Sequence, residues 1–185
     1  MDKKRDRRRM ARIDRGEQES NLHSPSSNFQ SSPSTLQSPS SWVGCEPWRF
    51  DGVKWVPQNP RPRKQIRSYR DLDVYNLAYT LAMEIFHLTA RFPKEERYAL
   101  VDQMRRSSRS VCSNIVEGFA KRRHEAVFKN SLNDSLGESE ETKLWLDFSL
   151  DCEYIAVDEH KRLIIGYEQV SPMLWTLMTT WQSFQ

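Results

Sequence analysis

Val101-Asp102-Gln103-Met104-Arg105-Arg106-Ser107-Ser108-Arg109-Ser110-Val111-Cys112-Ser113-Asn114-Ile115-Val116-Glu117-Gly118-Phe119 carries the periodicity from which the architecture follows. Val101, Met104, Ser108, Val111, Ile115 and Phe119 recur at alternating steps of three and four, the signature of one buried helix seam. Gly118 and the polar run Lys121-Arg122-Arg123 place the end of that helix near 118–121. On the N-terminal side, Val74, Leu77, Leu81, Ile85, Leu88 and Phe92 form a second helical stripe. Ser68 and Asp71 have capping-box spacing, so this helix is expected to start at 69–72. Pro93 stands where the next helix would begin. On the C-terminal side a third helix is expected from about His124 to Leu150, with the stripe Phe128, Leu132, Ser135, Ser139, Thr142 and Leu146. Its small side chains allow a close approach by a neighbour. Residues 152–157 read as a connection and Asp158 as an N-cap. The fourth stripe is Leu163, Tyr167, Val170, Leu174, Leu177 and Trp181, with a kink expected near 168–172 from Pro172.

Four long helices with short joints predict an all-α domain over residues 67–185, an antiparallel up-down four-helix bundle. Two of the helices carry apolar residues beyond one core face. The first adds Tyr75, Tyr79, Met83 and Phe86, and the fourth adds Ile164, Ile165, Met173, Trp175 and Met178. A second apolar face points to a partner surface, most simply another copy of the chain. The candidate interface residues are Tyr75, Tyr79, Phe86, Trp175 and Met178. The alternative is a broad core face with ordinary exposed apolar residues.

Residues 1–66 differ in kind. The whole chain has 28 Lys+Arg against 25 Asp+Glu, but the charges are unevenly spread. Residues 1–70 hold 15 basic and 7 acidic residues; residues 71–185 hold 13 and 18. Ten serines and three prolines fall in 20–41 with almost nothing to bury, so 1–41 reads as disordered. One island interrupts the extension. Asp51-Gly52 between Trp48, Phe50, Val53 and Trp55 signals a hairpin at 48–55. A two-residue loop would oppose Phe50 to Val53 and Trp48 to Trp55. Such a hairpin is either a transient turn or an element whose aromatic face docks on the body or on a partner.

The body resembles the four-helix-bundle family of proteins encoded within intervening sequences of bacterial 23S ribosomal RNA. The resemblance rests on Asp71-Leu72-Asp73-Val74-Tyr75 with Ala78, on Phe92-Pro93-Lys94-Glu95-Glu96-Arg97, and on Gln103-Met104-Arg105-Arg106 followed by Ser113-Asn114-Ile115-Val116-Glu117-Gly118. Leu136-Gly137 with Glu141 and Asp151-Cys152-Glu153-Tyr154-Ile155 complete it. The family's usual proline before Ser-Asn-Ile is Cys112 here, so a kink expected there would be lost. Glu138 replaces the serine that the family favours, and nothing in the pattern accounts for 1–66. The resemblance implies a homopentameric ring. It also implies kinship with the accessory protein of diversity-generating retroelements, which binds nucleic acid and a reverse transcriptase.

The chemistry of the side chains narrows the function. No metal-ligand spacing, Walker glycine pattern or dinucleotide fingerprint is present, so neither a metal nor a cofactor is expected. No catalytic residues are assigned, and an enzyme is not expected. No apolar run nears the ~20 residues of a membrane helix, and the charged start lacks the apolar segment of a secretory signal. With three cysteines not closely paired, this predicts a cytoplasmic protein. Arg105, Arg106 and Arg109 share one helix surface, and Lys121, Arg122, Arg123 and Lys129 follow. Arginine forks suit phosphate oxygens, so these seven are the candidate nucleic-acid-binding residues. The structural alternative is ion pairing with Glu117, Glu141 or a neighbouring subunit. The expected function is an oligomeric scaffold that binds RNA or DNA. A protein–protein accessory module, for example for a reverse transcriptase, is the alternative.

Overall fold

The computed structural model describes residues 48–60 and 65–181. The expected disorder of 1–41 lies outside these residues. Strands β1 (Trp48–Phe50) and β2 (Trp55–Pro57) form a small antiparallel hairpin. They are followed by helices α1 (Asp73–Leu88), α2 (Leu100–Ala120), α3 (Glu125–Asp151) and α4 (Val157–Thr180). The described body is thus predominantly helical, with four long helices.

Local chemistry sets the helix starts. The Ser68 hydroxyl accepts the Arg70 amide (3.3 Å), and the Asp71 carboxylate accepts the Ser68 amide (2.8 Å). This is the expected capping box, but it opens a short 3-10 helix, Tyr69–Asp71, and α1 begins two residues later. The start expected at Pro93 is displaced further. Pro93 leads into a 3-10 helix, Lys94–Tyr98, and α2 begins at Leu100. Glu96 marks the junction: one carboxylate oxygen accepts the Leu100 amide (3.2 Å), and the other accepts the Tyr154 hydroxyl (3.2 Å). At α4 the cap is Ala156 rather than Asp158, and the Glu159 carboxylate accepts the Ala156 amide at 3.0 Å. The helix continues as one element past Pro172 to Thr180. Likewise α2 runs unbroken through Cys112, whose thiol lies 3.9 Å from the Ser108 carbonyl.

The stripes read from the sequence point inward. All six stripe positions of α2 and all six of α3 are buried. The two helices form the most extensive pairing in the bundle, and residue numbers rise on one as they fall on the other. Ser135 Oγ donates to the Val111 carbonyl (2.9 Å), Thr142 Oγ1 meets Ser107 Oγ (2.9 Å), and Ser149 Oγ lies 3.3 Å from Met104 Sδ. Thr142 and Ser149 also donate to carbonyls of their own helix, of Glu138 (2.8 Å) and Trp145 (2.7 Å), whereas Ser139 Oγ in the same stripe has no partner among the described residues. α1 packs on α2 and α4, and α3 packs on α4, so the helices enclose a single core.

The hairpin packs on this helical body, as one of the two readings of its aromatic face expects. Trp55 is 2% exposed and lies between α1 and α4. Its indole N–H donates to the Arg162 carbonyl (2.9 Å). The Gln169 side chain accepts the Trp55 amide (2.7 Å) and donates to its carbonyl (3.2 Å), as a neighbouring strand would. The Trp48 amide donates to Thr80 Oγ1 on α1 (3.3 Å). The register differs from the two-residue turn expected: Phe50 opposes Trp55 and Trp48 opposes Pro57. Asp51 is the cause. Its carboxylate accepts both the Val53 and Lys54 amides (2.9 Å each), folding Asp51–Lys54 into the loop, and Gly52 takes φ +106°. Those two amides also hold the Asp51 carboxyl below the usual carboxylate range.

Part of the apolar surplus assigned to a partner face turns inward. Tyr75 and Met178 are 7% and 5% exposed and belong to the core of the protomer, so neither presents an outer surface. Tyr79 is half-buried. Phe86 is exposed at its edge but lies beneath two arginines, whereas Trp175 is 63% exposed.

Candidate nucleic-acid interface

The first turns of α2 carry arginine on the face away from the Val101–Met104–Ser108 stripe. Arg105, Arg106 and Arg109 therefore emerge together, as their spacing predicts. The structure adds Arg97 and Tyr98 from the preceding 3-10 helix. The five residues line one open cleft of about 570 Å³, with Val101, Asp102, Ser110 and Ser113. Four arginines and one acidic residue, Asp102, thus line the cleft, and Glu141 lies 3.4 Å from Arg106. Grouping arginines along a single helix misses Arg97. The available signal was the Arg97-Tyr98 pair just before the α2 start, where a turn brings it onto the same surface.

The four arginines do different work. Arg105 is a fastener. Its Nε donates to Thr89 Oγ1 (2.8 Å) and its Nη2 to the Phe86 carbonyl (3.2 Å), with the guanidinium over the Phe86 ring at 4.7 Å. It satisfies a carbonyl in the last turn of α1, where positive charge is favoured. Burial, then the nearby charges of Arg109 and Arg97, lower its pKa from the ordinary arginine value. Arg106 bonds Gln103 (2.8 Å) and lies 3.4 Å from Glu141. That exposed pair is weak enough for a phosphate to compete. Arg109 sits over Phe86 at 5.9 Å and Arg97 over Tyr98 at 5.5 Å. Neither has a carboxylate partner among the described residues.

The second basic cluster lies at the opposite end of α2, roughly 20 Å from the cleft at 1.5 Å rise per residue. Most of its charge is engaged locally. Lys121 pairs with Glu117, and Lys129 pairs with Glu125 at 2.6 Å. The Lys129 hydrogen bond, then its charge, lower the Glu125 pKa. Arg122 donates to the Phe119 carbonyl (2.9 Å) and stacks 4.3 Å above the Phe119 ring, closing the C-terminus of α2. Arg123 is exposed and has no ion-pair partner among the described residues. The seven candidate residues therefore divide between two surfaces instead of forming one.

Among the described residues, no group of three or more His, Cys, Asp or Glu side chains converges as metal ligands. No described helix is long and apolar enough to cross a membrane.

Residues 70–176 match the model of the 23S rRNA-intervening sequence protein family. A solved structure from Bacteroides thetaiotaomicron is similar: a protein of unknown function from the S23 ribosomal protein family, 26% identical, with a TM-score of 0.53. The match covers 58% of this chain and 96% of that one. No curated protein matches. The hairpin precedes the family match, so the matched segment is the four helices with the turn that brings Arg97 beside them. With more than half of its length matched, the chain belongs to the 23S rRNA-intervening sequence protein family.

Proposed function

We propose that the protein is a non-catalytic scaffold that grips the phosphate backbone of RNA or DNA through the cleft at the start of α2. Its helices run up and down in order, and the bundles assemble as a homopentameric ring that repeats the cleft. The observation that carries this reading is the charge of the cleft, four arginines against Asp102, with Arg97 and Arg109 unpaired among the described residues. Guanidinium forks match phosphate oxygens in geometry, and clustered positive charge raises the local concentration of a polyanion. A ring would multiply a modest single-site affinity by avidity.

Fluorescence polarisation of labelled RNA and DNA with the full-length protein, across a salt series, tests the reading. Replacing Arg106 and Arg109 together by alanine should weaken binding to all sequences. It should also reduce the slope of log affinity against log salt by about 2, one for each phosphate that is no longer neutralised. Absence of binding by the unaltered protein at low salt would overturn it. A second reading, an accessory subunit for a protein such as a reverse transcriptase, is favoured by Trp175. This indole stands largely exposed on α4, and exposed tryptophans are frequent anchors at interfaces.

A further inference from the structure

Tyr98 is 85% exposed, more than any other large apolar or aromatic side chain among the described residues. Its ring adds little to the protomer's core, yet it is held on a braced turn. Glu96, two residues earlier, bonds both the Leu100 amide and the Tyr154 hydroxyl, fixing the 3-10 helix against α2 and the α3–α4 connection. Arg97 approaches the Tyr98 ring at 5.5 Å, and Arg105, Arg106 and Arg109 line the same cleft. An aromatic face beside Arg97 and Arg109, which have no carboxylate partner among the described residues, offers more than phosphate attraction. It offers a flat apolar platform beside the path of a backbone.

From this juxtaposition we infer that the cleft takes single-stranded nucleic acid, with one base stacked on Tyr98 and the flanking phosphates on Arg97, Arg106 and Arg109. This rests on the phosphate-binding reading above and narrows its substrate class. In a duplex the base faces are covered by their neighbours, so a duplex can meet the arginines but leaves the ring without a partner. An unpaired strand can splay a base onto it. Stacking of this kind is tolerant of sequence because every base has a π-face, so no base preference is expected from Tyr98.

The test uses the full-length protein and three variants, Tyr98→Ala, Tyr98→Phe and Arg106→Ala with Arg109→Ala, each checked for unchanged helical circular dichroism. Each is titrated against one labelled sequence as single-stranded RNA, single-stranded DNA and duplex DNA. Tyr98→Ala should weaken single-strand binding about tenfold and leave duplex binding unchanged, and Tyr98→Phe should restore single-strand binding. The double arginine variant should weaken both. A 2-aminopurine base in the strand should be quenched by the wild-type protein and by Tyr98→Phe, but not by Tyr98→Ala. If Tyr98→Ala binds single strands as the wild type does, or loses single strands and duplex equally, the stacking role is overturned while the arginine site stands. If the wild type binds neither form, both readings fall together.

Discussion

The α2/α3 seam and the α1/α4 groove each contain a helical glycine, and the two glycines solve different problems. At Gly118 a Cβ would meet the Ser131 Cβ at 3.1 Å and the Phe128 ring at 3.4 Å. There the missing side chain lets one helix close on another, and α3 answers with Ser131, Ser135, Ser139 and Thr142. At Gly166 a Cβ would collide with the Leu81 side chain and crowd the Trp55 indole nitrogen at 3.0 Å. Here the missing side chain admits Leu81 of α1 and, beside it, the Trp55 indole of the hairpin. Two helices lined with small residues close directly, whereas two helices rich in large residues are completed by a third body. The α1/α4 groove therefore docks the chain's own hairpin through Thr80, Arg162 and Gln169.

The sharpest way to break this contrast is Trp55→Ala. Removing a buried indole and its hydrogen bond to the Arg162 carbonyl should lower stability by about 3–5 kcal/mol, read from urea unfolding of the full chain. An unchanged midpoint would mean the hairpin is not part of the cooperative fold. Gly166→Ala should come next, at about 1–3 kcal/mol, because the added methyl overpacks Leu81 and Trp55 by more than its gain in helix propensity offsets. Gly118→Ala should have the smallest effect, within about 1 kcal/mol of the parent. Its helix-propensity gain is of the same size as the cost of a tight but adjustable approach to Ser131. A large loss at Gly118 with little at Gly166 would invert the comparison and make the α2/α3 approach the more rigid joint.

The two basic clusters teach a parallel lesson at the surface. Both are visible as runs of Arg and Lys, and along the sequence they read as one continuous feature. Glu117 and Glu125 stand one turn from Lys121 and Lys129 on their own helices, so the second cluster is largely engaged by local i,i+4 pairing. No acidic residue stands where it could pair Arg109 in the same way, and Asp102 is a single carboxylate among four guanidinium groups. Those i,i+4 neighbours could have been read from the sequence. The junction of Arg97 and Tyr98 with α2 could not, because it depends on a turn braced by Glu96 and Tyr154, residues 58 positions apart.

The sequence by itself determined the four helices and their buried faces, since a period of three to four residues is a local property that each helix expresses alone. Even the small-residue stripe of α3, Phe128 through Leu146, is buried as its spacing required. Tertiary structure alone decided the rest. It put Tyr75 and Met178 inside the protomer, brought Trp55 against Gly166, and gathered Arg97, Tyr98 and Arg109 around one cleft while leaving Arg123 at the far end of α2. These placements join residues far apart in the chain. They are set by which surfaces fit once the helices have packed, and no periodicity records that.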